Sequence, residues 1–289
     1  MNTSTNKAKA LRQLMADDAV LAPSAFDATS ARLIANAGFD CAHASGGSIA
    51  RGLGFPDLGL VDLSEMAGRI ASIVEAAGIP VVADADTGYG NALNVRRTVM
   101  AFERAGVAGL HLEDQDFPKR CGLYDDLAVI NAQEMSGKIK AAVDARVNED
   151  LVIIARTDAL KVEGFDAAVE RSSAYLEAGA DMVFVEAIHT EAEIKKLAAL
   201  ISEPKIFNIG GGGEEPVMPL AELGTLGYRI ILYPADVQRA AIRAMADVLA
   251  TIRRDGHSAA MKNQLASGSE RDGLVDVEAY FELSERYEA

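Results

Sequence analysis

A chain of 289 residues with 49% hydrophobic and 25% charged residues has the make-up of an ordinary globular protein, which excludes a disordered or fibrous polypeptide and leaves room for one large domain or two smaller ones. The net charge of −15 argues against nucleic acid or an anionic membrane as partner, and an anionic ligand would need a local cation to overcome the same repulsion. No run approaches the roughly 18 apolar residues of a membrane span. Residues 1–14 carry no signal-like apolar stretch, and two cysteines, Cys41 and Cys121, are too few for a disulfide framework, so a cytoplasmic protein with free thiols is expected.

In chain order, short apolar runs fall at residues 19–22, 39–44, 80–83, 107–112, 151–155, 182–185, 205–209 and 229–232. Each is too short for a typical helix and lacks the polar alternation of a half-exposed strand, so they read as buried parallel strands. Between them, residues 28–37, 63–77, 92–105, 165–178, 191–200 and 237–253 have helical periodicity. Several of these stretches close on a glycine suited to a helix C-terminus: Gly38, Gly78, Gly106, Gly179 and Gly227. Eight strand and helix units without a linker predict an α/β fold, a closed (β/α)8 TIM barrel over residues 1–255, with a doubly wound sheet as the alternative. Residues 256–289 read as a C-terminal helical extension that caps the barrel or packs on a neighbouring subunit, not as an independent domain.

Active sites of such barrels lie at the C-terminal ends of the strands, so the residues closing each apolar run are the ones to weigh. They are Ser45-Gly46-Gly47, Asp84 and Asp86, Glu113 with Asp114, Arg156 with Thr157 and Asp158, Glu186, and Asn208. Asp84 and Asp86, two apart on one strand, are expected to share a face, and Glu113 comes from the next strand. Three carboxylates without a histidine or cysteine cluster suit Mg²⁺, or Mn²⁺ as the alternative, bound partly through water. His111 is read first as structural and second as a further ligand. Cys121 follows Lys119 and Arg120 in a long connection, where cations favour the thiolate and a loop can close over a site. Lys119, Arg120 and Arg156 supply the positive charge that a small anionic carboxylic acid requires.

The motifs Lys119-Arg120-Cys121-Gly122, Asp84-Ala85-Asp86-Thr87-Gly88-Tyr89-Gly90 and Ser45-Gly46-Gly47 resemble those of the isocitrate lyase/phosphoenolpyruvate mutase superfamily. The likeness continues through Phe55-Pro56-Asp57, Glu113-Asp114-Gln115, residues 155–159, Glu186 and residues 208–234. It implies a (β/α)8 barrel, Mg²⁺ held directly or through water by Asp57, Asp84, Asp86 and Glu113, and a homotetramer, a dimer of dimers, that exchanges C-terminal helices. For lyases of this superfamily it implies that the metal chelates the 2-oxygen and C1 carboxylate of the substrate. Backbone near Ser45, Gly46 and Gly47 would hold that carboxylate, with Lys119, Arg120, Gly122 and Asn208 completing the substrate site. Arg156 and Glu186 would join the catalytic group, Cys121 would protonate the C3 carbanion, and the base is left among His43, Tyr89 and a water on the metal.

Two positions depart from citrate-type lyases: Leu123 stands where they continue with histidine, and His43 where they commonly carry tyrosine. Leu123 shifts the expected leaving half towards something smaller or less polar than succinate. The expected function is cleavage of a methylisocitrate-like or substituted-malate acid to a 2-oxo acid such as pyruvate plus a carboxylate. The alternatives are a carboxyphosphonoenolpyruvate-type phosphonomutase or an oxaloacetate hydrolase or decarboxylase on the same site, and, in another class, a non-catalytic metal-binding barrel.

Overall fold

The computed structural model describes residues 3–122, 124, 126–210 and 217–288. Eight strands alternate with helices: β1 (Val20–Ala25), β2 (Ala42–Ala44), β3 (Val81–Asp84), β4 (Gly109–Glu113), β5 (Val152–Thr157), β6 (Met182–Val185), β7 (Lys205–Asn208) and β8 (Tyr228–Tyr233). Each is hydrogen-bonded to the next, and β8 pairs in parallel with β1, so the sheet closes into the expected (β/α)8 barrel. Burial on both faces explains why the strands show no polar alternation. Along β5, Val152 and Ile154 join a cluster with Leu11, Val82 and Phe184, while Ile153 and Ala155 join another with Met135, Ile139 and Tyr175.

The glycine punctuation takes the expected form. The helix Leu63–Ala77 opens on the reciprocal Asp62 and Glu65 capping box and ends at Gly78, whose φ of 69° lies in the left-handed region open to glycine. The helix Ala92–Ala105 ends in the same way at Gly106.

Besides short helices such as Gly46–Gly52, Ala159–Glu163 and Leu220–Thr225, two long ones were not anticipated from the sequence. Ala132–Ala145 lies between β4 and β5. The other, Thr3–Asp17, places Ala8, Leu11 and Met15 on one face and buries them against Val20, Ala108, Val152 and Met182 at the N-terminal ends of the strands. It closes that end of the barrel, and Arg12 fixes it by donating to the Asp150 carbonyl at 2.8 Å and to Asp181 at 2.9 Å.

The chain divides into two compact units, Met1–Asp236 and Val237–Ala289. The helix Asp236–Asp255, placed with the barrel by the sequence, therefore groups almost entirely with the C-terminal segment. That segment continues through a 3₁₀ turn at Ala259–Gln264 and the helices Gly268–Leu274 and Val277–Glu288. Among the described residues, no helix is long and apolar enough to cross a membrane.

Truncating the helix that closes the barrel tests its role. Leu11→Ala empties a fully buried site and is expected to cost about 2–5 kcal/mol in urea unfolding. Val147→Ala, on a side chain left 84% exposed, is expected to stay within about 0.5 kcal/mol.

Candidate active site

Strand register brings the charged residues of the rim together. Asp84 on β3 lies opposite His111 on β4, Glu113 opposite Arg156 on β5, and Arg156 opposite Phe184 on β6. Asp57 arrives from the connection after the helix Gly46–Gly52, and all four carboxylates, Asp57, Asp84, Asp86 and Glu113, are buried.

Asp84 and Asp86 converge, though not by the strand alternation expected. β3 ends at Asp84, and Asp86 sits in the following turn with φ of 47°, in the left-handed region that aspartate enters more readily than most residues. The turn folds the Asp86 amide back onto Asp84 Oδ1 at 3.0 Å, while the Glu113 amide donates to the Asp86 carbonyl at 2.9 Å. The other Asp84 oxygen accepts the Gly46 amide at 3.1 Å.

This crowding explains the glycine pair. A Cβ on Gly46 would lie 2.8 Å from Asp84 Oδ2, and one on Gly47 would collide with Asp57 and Arg51. The resemblance assigned the backbone of Ser45, Gly46 and Gly47 to a substrate carboxylate. Here the Ser45 amide is engaged by the Ala25 carbonyl and the Gly46 amide by Asp84, because these groups fix the strand end and the acid beside it. The Ser45 hydroxyl in turn accepts the Ser48 amide as a helix cap.

Lys119 reaches into the acids. Its Nζ lies 2.5 Å from Asp57 Oδ1 and 2.7 Å from Asp86 Oδ1. Burial works against its charge, but Asp86, Glu113, Asp84 and Asp57 outweigh that and hold its pKa well above the usual range. Burial pushes Asp86 up to about 6, helped by Asp84 and Asp57 and opposed by Lys119. Burial likewise raises Glu113 well above its ordinary value. Asp84 goes the other way: burial would raise it, yet His111, Lys119 and Arg156 hold it below the carboxylate range. Glu113 Oε1 is buried with no hydrogen-bond partner.

Arg156 organises the other half of the rim. Its fork binds Asp158 twice, at 3.0 and 2.9 Å, and it lies 3.4 Å from Glu113, 3.7 Å from Glu186 and 5.1 Å over the Phe184 ring. Asn208 donates to Glu186 at 3.1 Å. Burial raises the Glu186 pKa, against the pull of Arg156. The Cys121 loop folds onto this group: a Cβ on Gly122 would lie 3.0 Å from Arg156 Nη2 and 3.1 Å from Glu186 Cγ. Cys121 is half-buried there with its thiol free. Arg120 is not brought in, since its guanidinium is largely exposed and pairs with Asp126 at 2.8 Å. Leu123 lies outside the described residues, as do residues 211–216 of the matching C-terminal stretch.

Tyr89 and His43 take different positions. The Tyr89 hydroxyl is buried without a hydrogen-bond partner, and burial with Asp86 and Asp84 nearby raises its pKa well above 10. His43 lies inside the barrel, where Ser24 Oγ is 2.8 Å from its Nδ1 and His111 Nε2 is 3.1 Å from its Nε2. Burial lowers the pKa of His43 to about 3 and that of His111 to about 4.

Four buried carboxylates facing the single ammonium of Lys119, one of them with an unpaired oxygen, form a hard-oxygen set suited to a divalent cation. Among the described residues, no three of His, Cys, Asp and Glu close round one point by themselves.

Sequence reasoning named Asp114 and Asp158 among the strand-end residues but gave them no role. Asp114 accepts Thr157 Oγ1 at 2.7 Å, Tyr175 OH at 2.8 Å and the Asp158 amide at 3.0 Å, fixing the residue that holds Arg156. Their position directly after Glu113 and Thr157 at strand ends was the available signal.

The phosphoenolpyruvate phosphomutase family matches residues 11–253. The chain belongs to this family. Among relatives within it, 2,3-dimethylmalate lyase of Eubacterium barkeri is 44% identical over 284 residues, 98% of each chain. The 2-methylisocitrate lyase of Escherichia coli (strain K12) is 40% identical over 262 residues, 90% of this chain and 88% of that one. A solved structure of phosphonopyruvate hydrolase in complex with oxalate and Mg²⁺ superposes with a TM-score of 0.89 at 31% identity, covering 98% of this chain and 99% of the other. The family expected from the sequence motifs and the barrel they implied are thus both found.

The contrast between the two arginines is testable. Arg156→Met leaves Asp158, Glu186 and Glu113 without their buried cation and is expected to cost about 3–5 kcal/mol in chemical denaturation. Arg120→Met, breaking only an exposed pair, is expected to change stability by less than about 1 kcal/mol.

Proposed function

We propose that this chain is a Mg²⁺-dependent carbon–carbon lyase that cleaves a small substituted-malate or methylisocitrate-like 2-hydroxy acid to a 2-oxo acid and a second carboxylate. The observation that carries it is the placement, on one barrel rim, of the buried carboxylates next to a cysteine loop whose Gly122 lies against Arg156 and Glu186. Two relatives at 44% and 40% identity are named as lyases of such acids, which supports the same reading.

Asp57, Asp84, Asp86 and Glu113 would hold Mg²⁺, directly or through water, with Mn²⁺ as the alternative ion. When bound, the ion supplies a Lewis acid for the 2-oxygen and C1 carboxylate. Arg156, held cationic by Asp158, Glu186 and Glu113, neutralises a substrate carboxylate, with Asn208 and Gly122 on the same side. The acceptor of the 2-hydroxyl proton is one of His43, Tyr89 and solvent. As that proton leaves, the C2–C3 bond breaks, a 2-oxo acid forms, and the electron pair stays on C3 beside its carboxylate. Cys121 then gives its thiol proton to C3. Glu186, against Gly122, lies on the same side as the cysteine loop, and solvent returns the proton to the sulfur. With both cysteines free, a reducing, cytoplasmic setting fits.

Incubation with Mg²⁺ and a panel of 2,3-dimethylmalate, 2-methylisocitrate, isocitrate and 2-alkylmalates is expected to release a 2-oxo acid from at least one, detected by coupled NADH oxidation. No release from the panel removes the lyase reading, and oxalate with acetate from oxaloacetate, or new phosphorus resonances from phosphonates, would replace it with hydrolase or phosphonomutase. Cys121→Ser is expected to lower kcat about 10²-fold or more while Mg²⁺-dependent oxalate binding persists. Unchanged turnover would take the thiol out of the reaction.

The same reading includes a homotetramer, a dimer of dimers, formed through exchanged C-terminal helices. It is supported by Ile242, Met245, Leu249 and Ile252, an apolar stripe at helical spacing that the single chain leaves exposed. Light scattering is expected to show four copies for the natural chain and a smaller species for Leu249→Asp; a natural monomer would dismiss the tetramer.

A further inference from the structure

The helix Phe165–Glu177 carries two buried residues one turn apart, Arg171 and Tyr175, that face the strand ends. The guanidinium of Arg171 binds four groups. Its Nε and Nη2 grip the Glu163 carboxylate at 2.7 and 2.9 Å, while Nη1 donates to the Ile130 carbonyl at 2.8 Å, to the Tyr175 hydroxyl at 3.1 Å and to Asp114 Oδ2 at 3.3 Å. Tyr175 donates to the same Asp114 oxygen at 2.8 Å. We propose that Arg171 is a positioning residue that clamps the returning end of the Cys121 loop to the strand ends carrying Glu113 and Arg156, and so sets where the thiol and the Arg156 guanidinium stand. The inference rests on the lyase reading only for the use made of those two groups.

Asp114, directly after Glu113, and Ile130 are the two roots of the loop. The Ile130 amide donates to the Asp114 carbonyl and the Asp116 amide to the Ala128 carbonyl, both at 2.8 Å, a short antiparallel pairing that closes the loop at its base. Two backbone bonds fix the register of that neck but not its tilt against the barrel. Arg171 supplies the further restraint, because one planar fork holds the Ile130 carbonyl and the Asp114 carboxylate in a set relation.

The clamp reaches the far side of the loop through Asp158. The Asp158 amide donates to Asp114 Oδ1 at 3.0 Å, its carboxylate binds the Arg156 fork twice, and a Cβ on Gly122, the residue after Cys121, would lie 3.2 Å from its Oδ1. The short helix Ala159–Glu163 follows Asp158 and ends on the carboxylate that Arg171 grips. A buried guanidinium demands acceptors for its N–H groups, and a cation placed only to neutralise Asp114 could find them on one stretch of chain. Here they come from both loop roots, from the segment that begins at Asp158 and from the helix of Arg171 itself.

Thiol alkylation reads the loop without substrate or metal, because Cys41 is fully buried and Cys121 is half-buried. With metal-free protein and iodoacetamide, followed by peptide mass mapping, the natural chain is expected to label at Cys121 alone. Arg171→Met is expected to raise that rate about fivefold and to weaken Mg²⁺-dependent oxalate binding about tenfold in calorimetric titration. Tyr175→Phe, which removes one donor from Asp114 and keeps the ring, is expected to move both values the same way by a smaller factor. Leu11→Ala, a destabilising change at the opposite end of the barrel, is expected to leave both where they are. An unchanged or slower alkylation in Arg171→Met, or in Tyr175→Phe should Arg171→Met not fold, overturns the proposal. An equal rise in Leu11→Ala overturns it too, since that marks general loosening. Failure of the lyase reading would instead show as no 2-oxo acid from the natural chain, with the alkylation rates as stated.

Discussion

Asp57, Asp84, Asp86 and Glu113 have almost no contact with water and face one ammonium, that of Lys119. Charge of one sign in so dry a place is costly unless a cation or a proton answers it, and much of the rim follows from that cost. Burial drives Asp86 and Glu113 towards the protonated form. Backbone amides are spent on Asp84, and glycines at positions 46 and 47 let the chain come close enough to spend them. Arg156 answers a second group of acids, and its grip on Asp158 is fixed by Asp114 beneath.

The barrel was legible because its signal is redundant. Eight apolar runs and repeated helix-ending glycines each state the same alternation, and local and tertiary preferences agree. The helix Thr3–Asp17 carries no such redundancy: Ala8, Leu11 and Met15 show only that one face is apolar, and what they cover is set by the strand ends. The helix Ala132–Ala145 was passed over among long connections for the same reason.

At the site, residue types were legible and directions were not. The acids at strand ends were visible because a strand fixes where its last residue lies. Lys119 and Arg120 are neighbours of the same charge, and nothing in their order says that one turns into the acids while the other meets Asp126 at the surface. Asp86 was expected to point with Asp84 by strand pleat and does so by a left-handed turn.

The helix Thr3–Asp17 also bears on traffic. It stops the barrel at one end, and Val82, Ile154, Phe184 and Ile230 pack in the same cluster, so a ligand reaches the acids from the rim at the other end. A reaction that makes two products from one molecule must then release them through the door by which the substrate came. Order of release would be a property of the plugged barrel as much as of the chemistry, and product inhibition patterns would carry its imprint.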